Sequence, residues 1–360
     1  MPGVVASPSS LRPSERVVRF LGPRQVDLVP TPPFSPGPGQ VRVRTLVSGI
    51  SAGTELTTYL GTNPYLTRRW DPARRLFLDG TSTAPYPVTG VGYEEVGEVV
   101  EIAQGVAGVE IGDLVWGIWG HRTDGLLDAN LVRAQLLPPG LDPLVGVFAR
   151  VGAVALNAVL DADVHIGETV AVFGQGVIGL LATRLAALSG TDVVAVDTSA
   201  PRLALAEQFG ARHTVRTGEQ SPAEVVRALT GGRGADVCLE MSGVPAALNE
   251  AIRTVGYGGR VIASGFYQGG GGALHLGEEF HHNRVSVVSS QISGVASRHT
   301  PRWTRERLHR EFMRLVGEGR VDPRPLISAV VPAREVADAF DRLTHSHGDL
   351  LQVVLDFREA

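Results

Sequence analysis

Residues 169–197 read TVAVFGQGVIGLLATRLAALSGTDVVAVD. An apolar run, Val170 to Phe173, leads into Gly174-Gln175-Gly176-Val177-Ile178-Gly179. A helical stretch follows to about Leu188, and a second apolar run, Val193 to Val196, ends on Asp197. The pattern predicts a strand, a glycine turn, a helix and a strand closing on a carboxylate. Gly174 permits the tight turn, Gly176 lets backbone approach a pyrophosphate, and Gly179 lets the helix pack close to the sheet. The helix start offers unpaired N–H groups and a positive dipole end to phosphates. Asp197 follows Gly174 by 23 residues, near the spacing of an acid that accepts from ribose hydroxyls. The segment therefore predicts a bound dinucleotide, and a nicotinamide implies hydride transfer. A carboxylate at 197 repels a 2′-phosphate, so NAD is expected over NADP, although Arg202 and Ser199 just downstream soften that repulsion.

The chain has 360 residues, enough for two domains of about 150 each. Apolar residues make up 43% and charged ones 19%, so ordinary globular folding is expected. A net charge of −4 gives no electrostatic case for nucleic acid or an anionic membrane surface. No apolar run is expected to span a membrane. The Pro/Ser-rich start, MPGVVASPSSLRPSE, lacks the apolar core of a signal peptide and is expected to fray. The one cysteine, Cys238, sits in a strand pattern, Ala235-Asp236-Val237-Cys238-Leu239-Glu240, and reads as a buried core residue. It forbids an internal disulfide and fits a cytoplasmic location.

Around the glycine turn the texture changes twice. Residues 16–160 read as short strands with Gly/Pro turns, such as Val41–Arg44, Gly97–Ile102 and Gly112–Trp116, which suggests a barrel-like β domain. From about 150 to 295, strands alternate with helices, the signature of a doubly wound parallel sheet. After 300 come two helices, Thr304–Gly317 and Ala333–Thr344, and a last strand, Leu351–Phe357. The predicted class is α/β. A β-barrel-type domain (1–150) is interrupted by a dinucleotide-binding domain (151–295) and completed by the tail (296–360).

At this point the chain resembles the medium-chain dehydrogenase/reductase superfamily, in its zinc alcohol/sorbitol/threonine dehydrogenase-like branch. Four segments carry the resemblance. Val47-Ser48-Gly49-Ile50-Ser51-Ala52-Gly53-Thr54-Glu55 looks like the family's Gly-Ile-Cys-Gly-Thr-Asp segment. Gly92-Tyr93-Glu94 with Gly97 looks like its Gly-His-Glu-x-x-Gly, and Gly112-Asp113-Leu114-Val115 like its Gly-Asp-Arg-Val. Gly174–Gly179 with Asp197 matches its cofactor site. The resemblance implies a GroES-like β-barrel-type catalytic domain plus an inserted Rossmann domain. It also implies a homodimer joined along the last cofactor-sheet strand, near Val285–Ile292. By the same resemblance Ser242, Gly265, Phe266 and Tyr267 would meet the cofactor, and Ser51, Trp116 and Trp119 the substrate.

The departures decide the mechanism. The family's first zinc cysteine falls at or beside Ser51 and its zinc histidine on Tyr93, while the four-cysteine structural lobe is absent. Hydroxyl and phenol are poor zinc ligands. No metal is expected, an improvised Glu94, His121 and Asp124 set being the lesser alternative. Zinc takes a bound water's pKa from 15.7 to about 7, about 12 kcal/mol of charge stabilisation. A positioned acid or base supplies about 3–5 kcal/mol. One side chain therefore cannot replace the metal on an unactivated alcohol. The expected enzyme is a zinc-independent oxidoreductase interconverting a secondary alcohol and a ketone on a small substrate. The alternative is an NADPH-dependent enoyl or quinone reductase.

Tyr93 is the first candidate proton donor, against a packed aromatic; His121 is a second, against a structural histidine. Thr54 reads as a relay hydroxyl or a turn cap, and Glu94 as a hydrogen-bond partner in the site. Arg68, Arg69, Arg74 and Arg75 with Trp70 and Phe77 read as a substrate lid or, more blandly, a solvated helix face.

Overall fold

The computed structural model describes residues 15–80, 84–268, 270–296, 298–346 and 350–359. The expectation that the first residues fray lies outside them.

The first third of the chain is short strands: β1 (Arg16–Gly22), β2 (Gln25–Pro30), β3 (Gln40–Ile50), β4 (Arg69–Asp71), β5 (Leu76–Leu78), β6 (Val88–Thr89), β7 (Glu95–Ile102), β8 (Leu114–Gly117) and β9 (Asp124–Asp128). The helix α1 (Glu55–Leu60) leaves the end of β3, and α2 (Ala129–Ala134) follows β9. Next come α3 (Pro143–Gly146) and α4 (Phe148–Ala162). The cofactor sheet then winds through β10 (Thr169–Phe173), α5 (Val177–Leu188), β11 (Asp192–Asp197), α6 (Ala200–Gln208), β12 (His213–Arg216), α7 (Pro222–Leu229), β13 (Ala235–Glu240), α8 (Pro245–Thr254), β14 (Val255–Ala263) and β15 (Ser286–Ser289). The tail supplies α9 (Arg305–Gly317), β16 (Ile327–Pro332), α10 (Val336–His345) and β17 (Gln352–Asp356).

The six cofactor-sheet strands run in the order β12-β11-β10-β13-β14-β15, every pairing parallel. Strands covered on both faces read as unbroken apolar runs, and TVAVF and DVVAVD do. Phe173 and Phe148 are fully buried, worth about 1.5–3 kcal/mol each in apolar burial. The tail rejoins the first domain: β17 pairs antiparallel with β3, Val354 facing Gly49, in the sheet β16-β17-β3-β7-β8. The two-domain α/β architecture is as the sequence predicts.

Two readings are corrected. Pro143–Ala162 is a helical stretch of 20 residues, apolar and long enough to cross a membrane. It is mostly buried inside the molecule, as a central helix covered on several sides must be. The arginines between 68 and 75 do not lie on a helix. They decorate the hairpin β4–β5, where Trp70 pairs across to Phe77 with ring centroids 5.0 Å apart and Tyr65 packs on Phe77 at 5.2 Å.

Candidate functional site

At the end of β10, Gly174 takes a left-handed φ of 85° that only glycine adopts without strain. A Cβ on Gly179 would lie 1.8 Å from the Gly174 carbonyl oxygen, so helix and turn touch backbone to backbone. Gln175 turns its side chain inward. Its Nε2 donates to the Val172 carbonyl at 2.8 Å, and its Oε1 accepts from Thr183 Oγ1 at 3.0 Å. The turn therefore offers backbone to the outside. Val177 and Ile178 open α5 and pack against the main core. Asp197 ties the two strands together: Oδ2 accepts from the Gln175 N–H at 2.6 Å and Oδ1 from the Ser199 N–H at 2.8 Å. A carboxylate has about four acceptor positions, so capacity remains for ribose hydroxyls. Arg202 reaches back from α6 to the turn, its Nη1 4.0 Å from where a Gly176 Cβ would stand.

The opposite lip is organised by Glu240, a buried acid at the end of β13 that the sequence reading passed over. It accepts from the Ser242 N–H at 2.8 Å, the Gly243 N–H at 3.2 Å, the Ser242 hydroxyl and the Tyr267 hydroxyl. Its backbone carbonyl takes the Gly265 N–H at 3.1 Å. One carboxylate thereby gathers Ser242, Gly265 and Tyr267. Burial and the Glu240 charge push the Tyr267 phenol far up, so it keeps its proton. Phe266 stays exposed beside them. The signal was positional: ligands of open α/β sheets sit at the carboxyl ends of strands.

The proton-handling residues converge where β3 ends, α1 begins and β7 starts. Ser51 and Tyr93 are hydrogen-bonded hydroxyl to hydroxyl, and the Thr54 side chain lies near enough to the phenol to favour its ionised form slightly. Burial, then the charges of Glu94 and Glu55, push the Tyr93 phenol well up; the Ser51 and Thr54 bonds pull only weakly the other way. Below lies His121, with no exposed surface. Its Nε2 meets Glu55 Oε2 at 2.7 Å and its Nδ1 meets Ser48 Oγ at 2.6 Å. Ser48 donates onward to Glu95 Oε1 at 3.1 Å, and Glu55 Oε1 accepts from the Ser51 N–H at 3.2 Å. Burial lowers the His121 pKa, but the charge and hydrogen bond of Glu55 and the charge of Glu95 outweigh it and raise the net value. Each ring nitrogen is engaged, Nε2 by Glu55 and Nδ1 by Ser48, and none is left for a ligand. Glu94 is buried beside Gly49 and Gln352. Burial and the charges of Glu55 and Glu95 push its carboxyl well above the usual range. Glu95 is raised by burial as well, although His121 and the Trp119 N–H oppose the shift.

Trp116, on β8, stacks on His309 of α9 with centroids 5.2 Å apart. Trp119 sits in the barrel core, its Nε1 donating to Thr45 Oγ1 at 2.8 Å and its backbone N–H to Glu95 Oε2 at 2.8 Å.

The residues at the family's zinc positions do not fit the metal. Ser51 and Tyr93 satisfy each other, His121 has both nitrogens engaged, and Asp124 is held by Arg42 at 2.9 Å. Cys238 is buried in the cofactor sheet. Among the described residues no group of three or more His, Cys, Asp or Glu side chains is arranged to hold a metal ion.

A family model described as "Zinc-binding dehydrogenase" matches residues 177–308, a span that includes neither Ser51 nor Tyr93. The chain is 27% identical over 314 residues to the D-guloside 3-dehydrogenase of Escherichia coli K12, covering 86% of this chain and 90% of that protein. It is 29% identical over 318 residues to the L-threonine 3-dehydrogenase of Pyrococcus horikoshii, covering 79% and 84%. The crystal structure of 2R,3R-butanediol dehydrogenase from Bacillus subtilis superposes with a TM-score of 0.76 at 23% identity, over 95% of this chain and 99% of that one.

Proposed function

The chain belongs to the medium-chain dehydrogenase/reductase superfamily, in its zinc-dehydrogenase-like branch, and is an NAD(P)-dependent oxidoreductase; we propose that it interconverts a secondary alcohol and a ketone without zinc, with side chains moving the proton. The nicotinamide, when bound, supplies or accepts hydride at its C4. The residues suited to hold it are the turn Gly174–Gly179 with the start of α5, Asp197, and the lip of Ser242, Gly265, Phe266 and Tyr267. Asp197 favours NAD, because a second negative group beside it would be repelled.

The hydrogen-bonded Ser51–Tyr93 pair carries the reading. In it a phenol that keeps its proton stands where the resemblance expects a zinc ligand. Ser51 and Thr54 orient that phenol, and Glu55 holds Ser51 through its backbone N–H. His121 does not reach the cleft; it fixes Glu55 and Ser48 from below. The alternative, reduction of an activated C=C bond with NADPH, is favoured by one observation, Arg202 beside Gly176. Binding of NADPH at least tenfold tighter than NADH would move the assignment there.

The partner is a small-molecule substrate, and a second copy of the chain. Strand β15 pairs with β14 on one side, and Val287 and Val288 are 40% and 41% exposed. An open apolar edge is a hazard that a symmetric partner removes.

Tyr93→Phe tests the proton assignment. It should lower kcat at least tenfold with KM and NAD(P)H binding nearly unchanged, in protein whose turnover resists chelators. An undiminished kcat refutes the donor role, and zinc retained at one per chain refutes the metal-free mechanism.

A further inference from the structure

The guanidinium of Arg150 has no carboxylate to answer it among the described residues. It rises from the first turn of α4, half-buried. The neighbour within hydrogen-bond range is His309 Nε2, at 3.5 Å. His309 meets the Arg305 carbonyl through Nδ1 at 2.7 Å, so Nδ1 carries the hydrogen and Nε2 presents a lone pair to Arg150. Burial, then the charge of Arg150, hold the His309 pKa down to about 4, so the imidazole is neutral and adds no charge of its own. Its ring stacks on Trp116, which pairs with Val96 in the β7–β8 ladder, three residues along the chain from Tyr93. The Tyr93 phenol lies within electrostatic reach of Arg150. Two further charges stand nearby. Arg305 is a second cation, and Glu306 is spent on the Thr304 side chain and its own backbone at the start of α9. Among the described residues no carboxylate pairs with Arg150.

A lysine or histidine so placed could shed its proton; a guanidinium cannot. Burying it unpaired costs free energy that a bound anion returns, and its planar fork matches carboxylate and phosphate oxygens. We infer that Arg150 determines specificity: the substrate carries a carboxylate or phosphate that Arg150 grips from the Trp116–His309 wall while the reacting carbon lies at Ser51–Tyr93. The inference rests on the alcohol–ketone reading and adds the substrate's charge to it.

The test uses the full chain saturated with NADH or NADPH, as wild type, Arg150→Met and Arg150→Lys. Calorimetric titration with acetate and with inorganic phosphate reads the site without turnover. Wild type should bind at least one of them, Arg150→Met at least tenfold more weakly, and Arg150→Lys in between; which anion wins separates carboxylate from phosphate. Equal binding by wild type and Arg150→Met, or none by wild type, overturns the inference. The His309 pKa, followed by NMR, should rise in Arg150→Met because a neighbouring cation is gone; an unmoved value also overturns it. Turnover of matched pairs with NAD+ or NADP+ as hydride acceptor in place of the reduced cofactor, 2-butanol against 3-hydroxybutyrate and glycerol against glycerol 3-phosphate, should favour the charged member at least tenfold in kcat/KM, and Arg150→Met should lose that preference through KM. Preference for the neutral members overturns the anion assignment and leaves the alcohol–ketone reading standing. Arg150-dependent anion binding without oxidation of any alcohol overturns that reading instead.

Discussion

Replacing His121 with Asn removes one charge from the middle of a buried cluster. In the wild type the imidazolium answers Glu55 at 2.7 Å and stands 3.9 Å from Glu95. All three side chains are almost wholly enclosed. Asparagine can keep a hydrogen bond to Ser48 or Glu55 but cannot keep the charge. Removing one partner of a buried pair costs about 3–5 kcal/mol, because the other charge is left uncompensated. A carboxylate so stranded escapes by taking up a proton, so the cost depends on pH. The His121 pKa is raised, so its contribution is fully present below its ordinary value and is lost as pH climbs through the folded-state value. In the variant Glu95, which burial already raises, loses the cation that opposed the shift. Its folded-state preference for the proton leaves little penalty in acid and a growing one towards neutrality.

Urea denaturation should therefore find His121→Asn less stable by about 3–5 kcal/mol near neutral pH, with the gap nearly closed at about pH 5 and narrowing again in alkali, where wild type also loses the charge. Adding Glu55→Gln to His121→Asn should recover part of the loss, since both charges are then gone. A cost under about 1 kcal/mol, or the same cost at every pH, would mean that His121 is neutral in the folded protein and that the ion-pair account is wrong.

Glu94→Gln should stabilise the protein at and above neutral pH by about 1 kcal/mol or more, the worth of a single pKa unit, and do little in acid. The sign follows from the raised Glu94 pKa, whose contribution fades as pH rises; thermal melts across pH check it, and an unchanged slope refutes it. Asp197→Ser should shift preference from NADH towards NADPH at least tenfold in fluorescence titrations, and Arg202→Ala should weaken NADPH more than NADH; equal losses for both cofactors would show that neither residue reads the 2′ position. Val288→Lys should convert a dimer into a monomer by sedimentation, and a wild-type chain already monomeric at micromolar concentration would remove the edge-strand proposal.

The cofactor turn was legible because its requirements are backbone requirements. Gly174 and Gly179 announce a positive φ and a close approach, and Asp197 announces a strand end, all within one local window. The proton-handling side was legible only as separate residues. Tyr93, Thr54, Glu94 and His121 each drew attention, but nothing in the sequence says that His121 bonds Ser48 and Glu55, 73 and 66 residues away. Ser48 and Glu95 look like ordinary strand positions, and Glu240 looks like the polar end of an apolar run. The Arg150–His309 contact spans 159 residues and has no local signature. The arginines at 68–75 misled because paired cations two turns apart fit a helix face as well as a hairpin. The cross-strand Trp70–Phe77 pair decides between them only once the turn is seen.

The departures at Ser51 and Tyr93 make sense together with the titratable groups packed behind them. A zinc-bound oxygen is activated by lowering its pKa, and the surrounding protein need only supply ligands. With hydroxyls in those places, activation has to come from a proton held ready. The Tyr93 phenol retains its own, because burial and the neighbouring negative charge penalise its ionised form, and burial likewise raises the enclosing carboxyls Glu94 and Glu95. One compensating cation, His121, is locked beneath by two acids, so it stabilises the arrangement without quenching the phenol's reluctance to ionise. Such a site is better suited to giving a proton than to taking one. By this reading reduction of a ketone is the easier direction near neutral pH, with Tyr93 as donor and Ser51 and Thr54 returning the proton. Oxidation gains only as rising pH lets the phenol ionise. Arg150 fits the same economy: held outside this negative interior and paired with a neutral imidazole, its charge is reserved for the substrate.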